Sequence, residues 1–515
     1  MNHAPFSAGY RASGVLLHVT SLPSPYGVGD FGPSACAWID RLAAAGQSWW
    51  QVLPLGPTGY GNSPFEPHST FALNPLLLSP DWLIEDGLLT ANDAAGHSFS
   101  ADQVDFEGAL SFKQALLQQA WKNFRAGDRA HLRPAFEAFC RDQAYWLEDY
   151  ALYRALKAEH GGGLFLEWPA ELVRREPSAL ARARERLAEA IDRRRFTQFL
   201  LFRQVERLKG YARDKHVGLI GDLPFFVALD SSDLWANPEL FLLGDDGRPS
   251  FVAGVPPDYF SPLGQLWGTP IYDWEAHQRA GFQWWINRLK ALLSRVDLVR
   301  LDHFRAFAAA WHVPADALTA QTGEWQPGPG AEFFKAVGAA LDGLPLIAED
   351  LGLITDDVRE LRDEFALPGM RVLQFAFDGD PKNLMLPENF VENVVAYTGT
   401  HDNNTTRGWY ESLSHAEQET IWKYLQRPDG DSHKIADALV RLAWSSRAAL
   451  AMAPLQDVLG LDASARMNVP GDPEGNWTWR ATAEMFLSPA FERLRVWTEE
   501  TARHAPPGDR PWIAK

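Results

Sequence analysis

The stretch VDLVRLDHFRAF, Val296 to Phe307, decides the fold. It opens as an apolar run and closes on charge. Side chains of a strand alternate between its two faces, so Arg300 and Asp302 share one face while Leu301 takes the other. A guanidinium and a carboxylate side by side at a strand end are either a structural ion pair or part of a site. Which of the two holds depends on what the other strands bring to the same place.

Seven further short apolar runs have the same form and end in polar, Gly or Pro signals. They are GVLLHV at 14–19, SWWQVLPL at 48–55, HVGLIGDLP at 216–224, LPLIAED at 344–350, GMRVLQFAF at 369–377, NVVAYTGTHD at 393–402 and ALAMAPL at 449–455. Helical patterns such as PSACAWIDRLAAAG, FQWWINRLKALLSR and TDDVRELRDEF lie between most of them. Buried strands alternating with helices predict an α/β chain folded as a parallel (β/α)8 TIM barrel, a single catalytic unit spanning 1–515. Two connections are too long for simple βα units. Residues 81–195, rich in Ala, Leu, Arg, Glu and Lys, predict a mostly helical insertion after the second strand. Residues 230–285, rich in Pro, Gly and aromatics, predict a loop-rich insertion after the third.

Composition narrows the partners. At 515 residues the chain exceeds what one simple core supports, and 46% hydrophobic with 22% charged residues is an ordinary globular composition. The 66 Asp and Glu outweigh the 48 Lys and Arg, for a net charge of −18. That acidity argues against nucleic acid or an anionic membrane as partner. Two cysteines, Cys36 and Cys140, form no disulfide framework. With no signal-like N-terminal segment and no apolar run of about 20 residues, a cytoplasmic location is expected. The 21 tryptophans are more telling, because several (Trp267, Trp325, Trp477) lie among loop-forming residues. Flat apolar faces bordered by polar groups suit sugar rings.

Active sites of such barrels lie at the C-terminal ends of the strands. The acids there are Asp222, Asp302, Glu349 and Asp402. Four carboxylates gathered at one cavity repel one another and cost several kcal/mol each, by order of magnitude, to desolvate. Stability does not explain them. A metal site is one alternative, but no His-x-x-x-His or Glu-x-x-His spacing occurs, and only the pairs Asp302-His303 and His401-Asp402 leave it open. Glycosidic chemistry is the other. It needs a carboxylate nucleophile, a carboxylic acid to protonate the leaving oxygen, and charge to match an oxocarbenium-like state. Arg300 suits a carboxylate that must stay ionised, and His401 can hydrogen-bond sugar hydroxyls. His303, in the turn after its strand, reads as a backbone anchor.

The strand-end set GDLPFFV, VRLDHFRAF, AEDLG and YTGTHDNNTTRGW resembles the short characteristic regions of the α-amylase superfamily. Within it the chain is most similar to the amylomaltases, or 4-α-glucanotransferases, of glycoside hydrolase family 77. LPLGPTGYGNSPF, SSDLWANPELF, VAGVPPDYFSPLGQLWGTPIYDW, LPGMRVLQFAFD and VPGDPEGNWTWR extend the match, in the family's order, from about Arg11 to about Arg480. The resemblance implies a retaining transfer of α-1,4-glucan segments between maltooligosaccharides, with no metal or other cofactor. It implies Asp302 as nucleophile, Glu349 as general acid/base and Asp402 as the third carboxylate. Arg300, His401 and Asp222 match substrate-binding positions. Trp267 matches an aromatic on the acceptor side, and Tyr60 a tyrosine associated with a second glucan-binding surface. An α-1,4-glucan hydrolase, or a glucan-binding scaffold without catalysis, are the competing readings.

Three positions depart from the family pattern. Val19 stands where the family usually has proline in Leu-His-Pro-Thr-Ser-Leu-Pro, a change expected to affect only a strand end. Phe65 and Glu66 stand where it usually has Tyr-Gln. A hydroxyl is lost there and a charge gained, which bears on subsite affinity. Pro224 and Val227 in GDLPFFV suit this family rather than the hydrolytic amylases, which usually carry an Asn-His pair there.

Overall fold

A computed structural model describes residues 5–127, 130–257, 261–427, 430–472 and 474–506, the side chains of Tyr60 and Ala130 excepted. Part of the motif VAGVPPDYFSPLG and most of the C-terminal stretch HAPPGDRPW lie outside them.

Among the described residues twelve strands form two sheets. In chain order they are β1 (Ala12–Leu16), β2 (Trp49–Gln51), β3 (Gly218–Leu223), β4 (Phe251–Val255), β5 (Gln265–Pro270), β6 (Leu298–Leu301), β7 (Ala309–Pro314), β8 (Glu324–Pro327), β9 (Leu346–Ala348), β10 (Gly369–Val372), β11 (Val394–Tyr397) and β12 (Leu450–Pro454). Eight of them close a barrel in the order β1-β12-β11-β10-β9-β6-β3-β2, and every pairing is parallel. The register at the key strand runs Asp222↔Arg300 and Leu223↔Leu301 against β3, and Arg300↔Ile347 against β9. These are the eight runs read from the sequence, each shorter than its apolar stretch. Barrel strands are covered on both faces, which is why the runs are apolar nearly throughout.

Alternation divides the core into two layers. Trp49, Ile220, Leu298, Ile347, Met370, Val372, Tyr397 and Met452 fill the barrel interior. Their neighbours Trp50, Leu219, Val299, Leu346 and Ala396 pack outward in the main core with the helices. The Trp49 ring requires small neighbours. A Cβ at Gly218 would stand 2.5 Å from that ring, and one at Gly14 2.4 Å from the Trp49 carbonyl oxygen.

Between β2 and β3 the regular structure is helical, with Phe106–Ala126, Arg133–Asp142, Ala144–Glu159, Pro177–Arg186 and Ala188–Asp214 the longer elements. The first of these starts where Asp105 accepts a hydrogen bond from the Gly108 amide at 2.9 Å, an N-cap, and ends at Gly127 with φ 93°. The last runs past position 195 and almost reaches β3. In 230–285 the chain is more regular than a loop-rich segment. β4 and β5 join β7 and β8 in an antiparallel sheet of order β5-β4-β7-β8, and two helices, Trp274–Arg279 and Gln283–Leu293, follow β5. Val19 opens a 3-10 turn three residues beyond β1, so this departure falls in the turn rather than at the strand end. Among the described residues no helix is long and apolar enough to cross a membrane.

Candidate active site

Strand ends bring the predicted residues together. Asp302, His303, His401, Asp402 and Trp267 line one cleft of about 570 Å³, with Phe65, Glu66, Gln265 and Trp477 around it. Arg300 and Asp222 lie beneath, buried on the ends of adjacent strands. Tyr60 sits in a short turn, Tyr60–Asn62, whose Gly61 lines the cleft; the Tyr60 side chain is outside the described residues.

Arg300 organises the floor. Its Nη1 donates to both oxygens of Asp222, at 2.8 and 2.9 Å, and lies 2.9 Å from Asp302 Oδ1. Strand alternation put Arg300 and Asp302 on one face, and the parallel register put Asp222 directly opposite Arg300. Burial works against the Arg300 charge. Asp222, Asp302 and Glu349 outweigh it and hold the guanidinium above its ordinary value. Burial pushes the Asp222 carboxyl up to about 7, and Arg300 opposes that shift.

Glu349 is held differently. It follows β9, and its two oxygens accept separate backbone amides: His303 N–H at 2.8 Å and Leu351 N–H at 2.9 Å. Burial pushes its carboxyl up to about 8; Arg300 opposes the shift and the Asp302 charge adds to it. The two amides also oppose the shift, and they fix the orientation of the carboxyl. His303 achieves this with its backbone in the left-handed region, φ 50°. Its imidazole meets the Trp267 ring edge-on at 4.8 Å instead of anchoring the turn.

Asp402 also lines the cleft, its side chain 46% exposed. Asn468 Nδ2 donates to its Oδ1 at 2.7 Å, and Arg466 Nη2 to its backbone carbonyl at 2.9 Å. His401 Nε2 lies 3.3 Å from the same Oδ1. Burial keeps the His401 imidazole below its ordinary value, with Asp402 opposing. Phe65 stacks on that imidazole at 4.7 Å, and Trp477 lies 6.0 Å from it.

The two carboxyl groups are therefore held in different ways at neighbouring strand ends. Asp302 lies against the buried Arg300 guanidinium, while burial raises the Glu349 carboxyl. Carboxyl groups in such unlike surroundings suit the roles of acid and nucleophile in glycosidic chemistry. Two positioning elements escaped the sequence reading. The His303 amide acts through backbone geometry, which its residue type does not announce. Asn468 comes from a loop far along the chain and carries no local signal linking it to Asp402. Among the described residues, no three His, Cys, Asp or Glu side chains cluster as a metal would require.

The profile of the 4-alpha-glucanotransferase family matches residues 17–485. The chain belongs to that family. A 4-alpha-glucanotransferase of Synechocystis sp. is 50% identical over 475 residues, covering 91% of this chain and 94% of the relative. One from Thermus thermophilus is 46% identical over 498 residues, covering 96% and 99%. Among solved structures, the amylomaltase from Streptococcus agalactiae in complex with acarbose superposes with a TM-score of 0.92 at 37% identity, over 96% of this chain and 99% of that one. As a 4-alpha-glucanotransferase family member the chain is a transferase on a TIM barrel, and the resemblance drawn from its strand ends holds over nearly its whole length.

Proposed function

We propose that this chain transfers α-1,4-glucan segments between maltooligosaccharides by double displacement, with Asp302 as nucleophile and Glu349 as acid and then base. The observation that carries the reading is the unequal treatment of these two carboxyl groups, one against Arg300 and one buried between two backbone amides. Glu349 donates its proton to the glycosidic oxygen as Asp302 attacks the anomeric carbon. The C–O bond to the reducing-end fragment breaks, and that fragment leaves with the proton. A covalent glucosyl ester on Asp302 remains. The 4-hydroxyl of a second glucan then attacks the anomeric carbon, the bond from that carbon to the Asp302 carboxylate breaks, and Glu349, now a carboxylate, takes the hydroxyl proton. The new glycosidic bond forms, and Asp302 and Glu349 return to their starting states.

Asp402, braced by Asn468 and His401, binds the sugar at the cleavage point and stabilises its developing positive charge. His401 and Trp267 contact sugar, and the Asp222–Arg300 pair keeps Asp302 in line. Tyr60 is assigned a glucan contact on the resemblance alone. Transfer outruns hydrolysis when an acceptor ring occupies the cleft in place of water, and Trp267 is the residue assigned to hold it. Incubation with maltotriose, products resolved by size, tests the reading. Glucose together with oligomers longer than maltotriose is expected, without added metal. Products no longer than the substrate would point to the hydrolase instead.

A further inference from the structure

We infer that Gln456 and Asp457, side by side in the short helix Leu455–Leu459 directly after β12, are positioning residues for Asp402. Each anchors one of the two segments that meet at that carboxylate. Neither residue lines the cleft. Asp457 is 1% exposed and Gln456 6%, so both act through the chain that carries and braces Asp402 and not on sugar. The inference rests on the part given to Asp402 in the glucanotransferase reading.

The first segment leaves β11 at Thr398, carries His401 and Asp402, and ends at Thr406, the first residue of the helix Thr406–Ser412. One carboxyl ties both of its ends. Asp457 Oδ2 accepts Thr398 Oγ1 and Thr406 Oγ1, each at 2.6 Å, and its Oδ1 accepts the Thr406 amide at 2.7 Å. The second segment brings Arg466 and Asn468 to Asp402. Gln456 Nε2 donates to the Ala465 carbonyl at 3.2 Å, one residue before Arg466. Arg466 Nε donates to the Asn468 carbonyl at 2.7 Å, so the two residues that brace Asp402 are also tied to each other.

Packing alone does not ask for this pattern. A buried carboxyl is costly unless its oxygens are served. Burial raises the Asp457 carboxyl, and its three hydrogen-bond donors oppose the shift. A fully satisfied buried network holds the parts it joins in one arrangement. The parts joined here are the two segments whose meeting point is Asp402 Oδ1, where Asn468 Nδ2 donates at 2.7 Å. Thr400, His401 and Arg466 line, with Gln456 and Asp457, one cavity of about 20 Å³, too small for a sugar. The two segments therefore converge on the helix at one place. A displacement of about 1 Å, from a change remote from the chemistry, can cost on the order of 100-fold in rate. Asp402, whose side chain is 46% exposed, depends on its anchored neighbours for its place.

The test is steady-state transfer from maltotriose by the full-length protein, with Tm measured alongside. Asp457→Ala is expected to lower kcat about 10- to 100-fold with KM within about 2-fold of the parent, the split that follows when transition-state stabilisation is lost. Asp457→Asn keeps an acceptor for the Thr406 amide and should recover most of that loss. Thr406→Val keeps the shape, deletes one hydroxyl and should lower kcat in the same sense, while Thr406→Ser restores it. This second pair decides the matter if Asp457→Ala does not fold. Gln456→Met should lower kcat by about 3-fold or more, and a parent-like value would strike Gln456 from the inference. Thr498→Val is the control. It removes a buried hydroxyl that accepts Gln47 and Trp444, ahead of β2 and β12 at the other end of the barrel, and should lower Tm with kcat unchanged. Losses of kcat in the Asp457 and Thr406 variants no larger than in Thr498→Val would overturn the inference, and so would a raised KM with kcat held. Asp402→Asn separates this from the reading beneath it. Activity within a few-fold of the parent would remove the role of Asp402 itself. An inactive Asp402→Asn beside parent-like Asp457 and Thr406 variants would overturn the positioning role alone.

Discussion

Arg300 Nη1 lies 2.9 Å from Asp302 Oδ1, a contact between two residues two positions apart at the end of β6. It answers the question that VDLVRLD poses: the shared face lines the floor of a site, and Asp222 on the next strand completes the pair. An amide at position 302 keeps the size and can still meet the guanidinium, but it cannot form the ester. Asp302→Asn is expected to lower transfer from maltotriose by on the order of 10³-fold or more, with far-ultraviolet circular dichroism and Tm close to the parent. Activity within a few-fold of the parent would show that Asp302 is not the nucleophile.

Glu349 gives a prediction in pH. Its carboxyl, raised by burial to about 8, must be protonated for the leaving group to depart, so kcat with an ordinary donor should fall as pH rises through that value. The stability effect has its own sign. A group that titrates at 4.5 unfolded and about 8 folded holds its proton more tightly in the native state. Its contribution is complete below about 4.5 and is lost as pH climbs from there to about 8. Glu349→Gln removes that loss. At pH 9 the variant is expected to melt about 1–3 °C above the parent, while at pH 4 the two should coincide. Its activity should be severely reduced with maltotriose and partly preserved with a donor whose leaving group needs no proton.

The barrel was legible because its strands are short, apolar and buried on both faces, so that each apolar run stands out against the amphipathic helices around it. The second sheet was not. GQLWGTP and FVAGV carry glycine and proline, which read as breakers, and β4 pairs with β7 across long separations such as Ala253↔His312. In the site, the carboxylates were legible because a strand end is a place that sequence marks. Their positioning was not. The bond from Asn468 to Asp402 depends on where a distant loop returns. The bond from His303 to Glu349 depends on a backbone angle, φ 50°, which a β-branched or aromatic neighbour could not have announced.

Phe65, where the family usually has tyrosine, stacks on His401 at 4.7 Å within the cleft. The ring's stacking survives the change and only a hydroxyl is missing. Phe65→Tyr should restore one hydrogen bond to bound sugar, a net gain of about 0.5–1.5 kcal/mol. KM for maltotriose is expected to fall about 2- to 10-fold with kcat little changed. An unchanged KM would mean that the ring edge does not face the substrate. The neighbouring Glu66, which burial raises above its usual carboxyl range, lines the same cleft. Glu66→Gln should therefore make KM less dependent on pH on the acid side of neutrality.

Trp267 tests the choice between sugar and water. It lies on β5, donates to Gln265 Oε1 at 3.2 Å, and sets its ring edge-on to His303 at the cleft wall. Neither Asp302 nor Glu349 depends on it for a hydrogen bond, so the cleavage half of the reaction should be spared when the ring is removed. Acceptor capture should not be. Loss of a desolvated aromatic anchor typically costs about 1–3 kcal/mol, which is about 5- to 150-fold in occupancy of the acceptor subsite. Trp267→Ala is expected to raise the fraction of glucosyl intermediates that end on water, read as reducing ends created per glucosyl unit transferred at fixed maltotriose. His303 supplies the amide that orients Glu349, so a collapse of its turn would appear instead as loss of total cleavage. An unchanged ratio with a lowered Tm would make Trp267 a packing residue of the second sheet and leave acceptor selection to another part of the cleft.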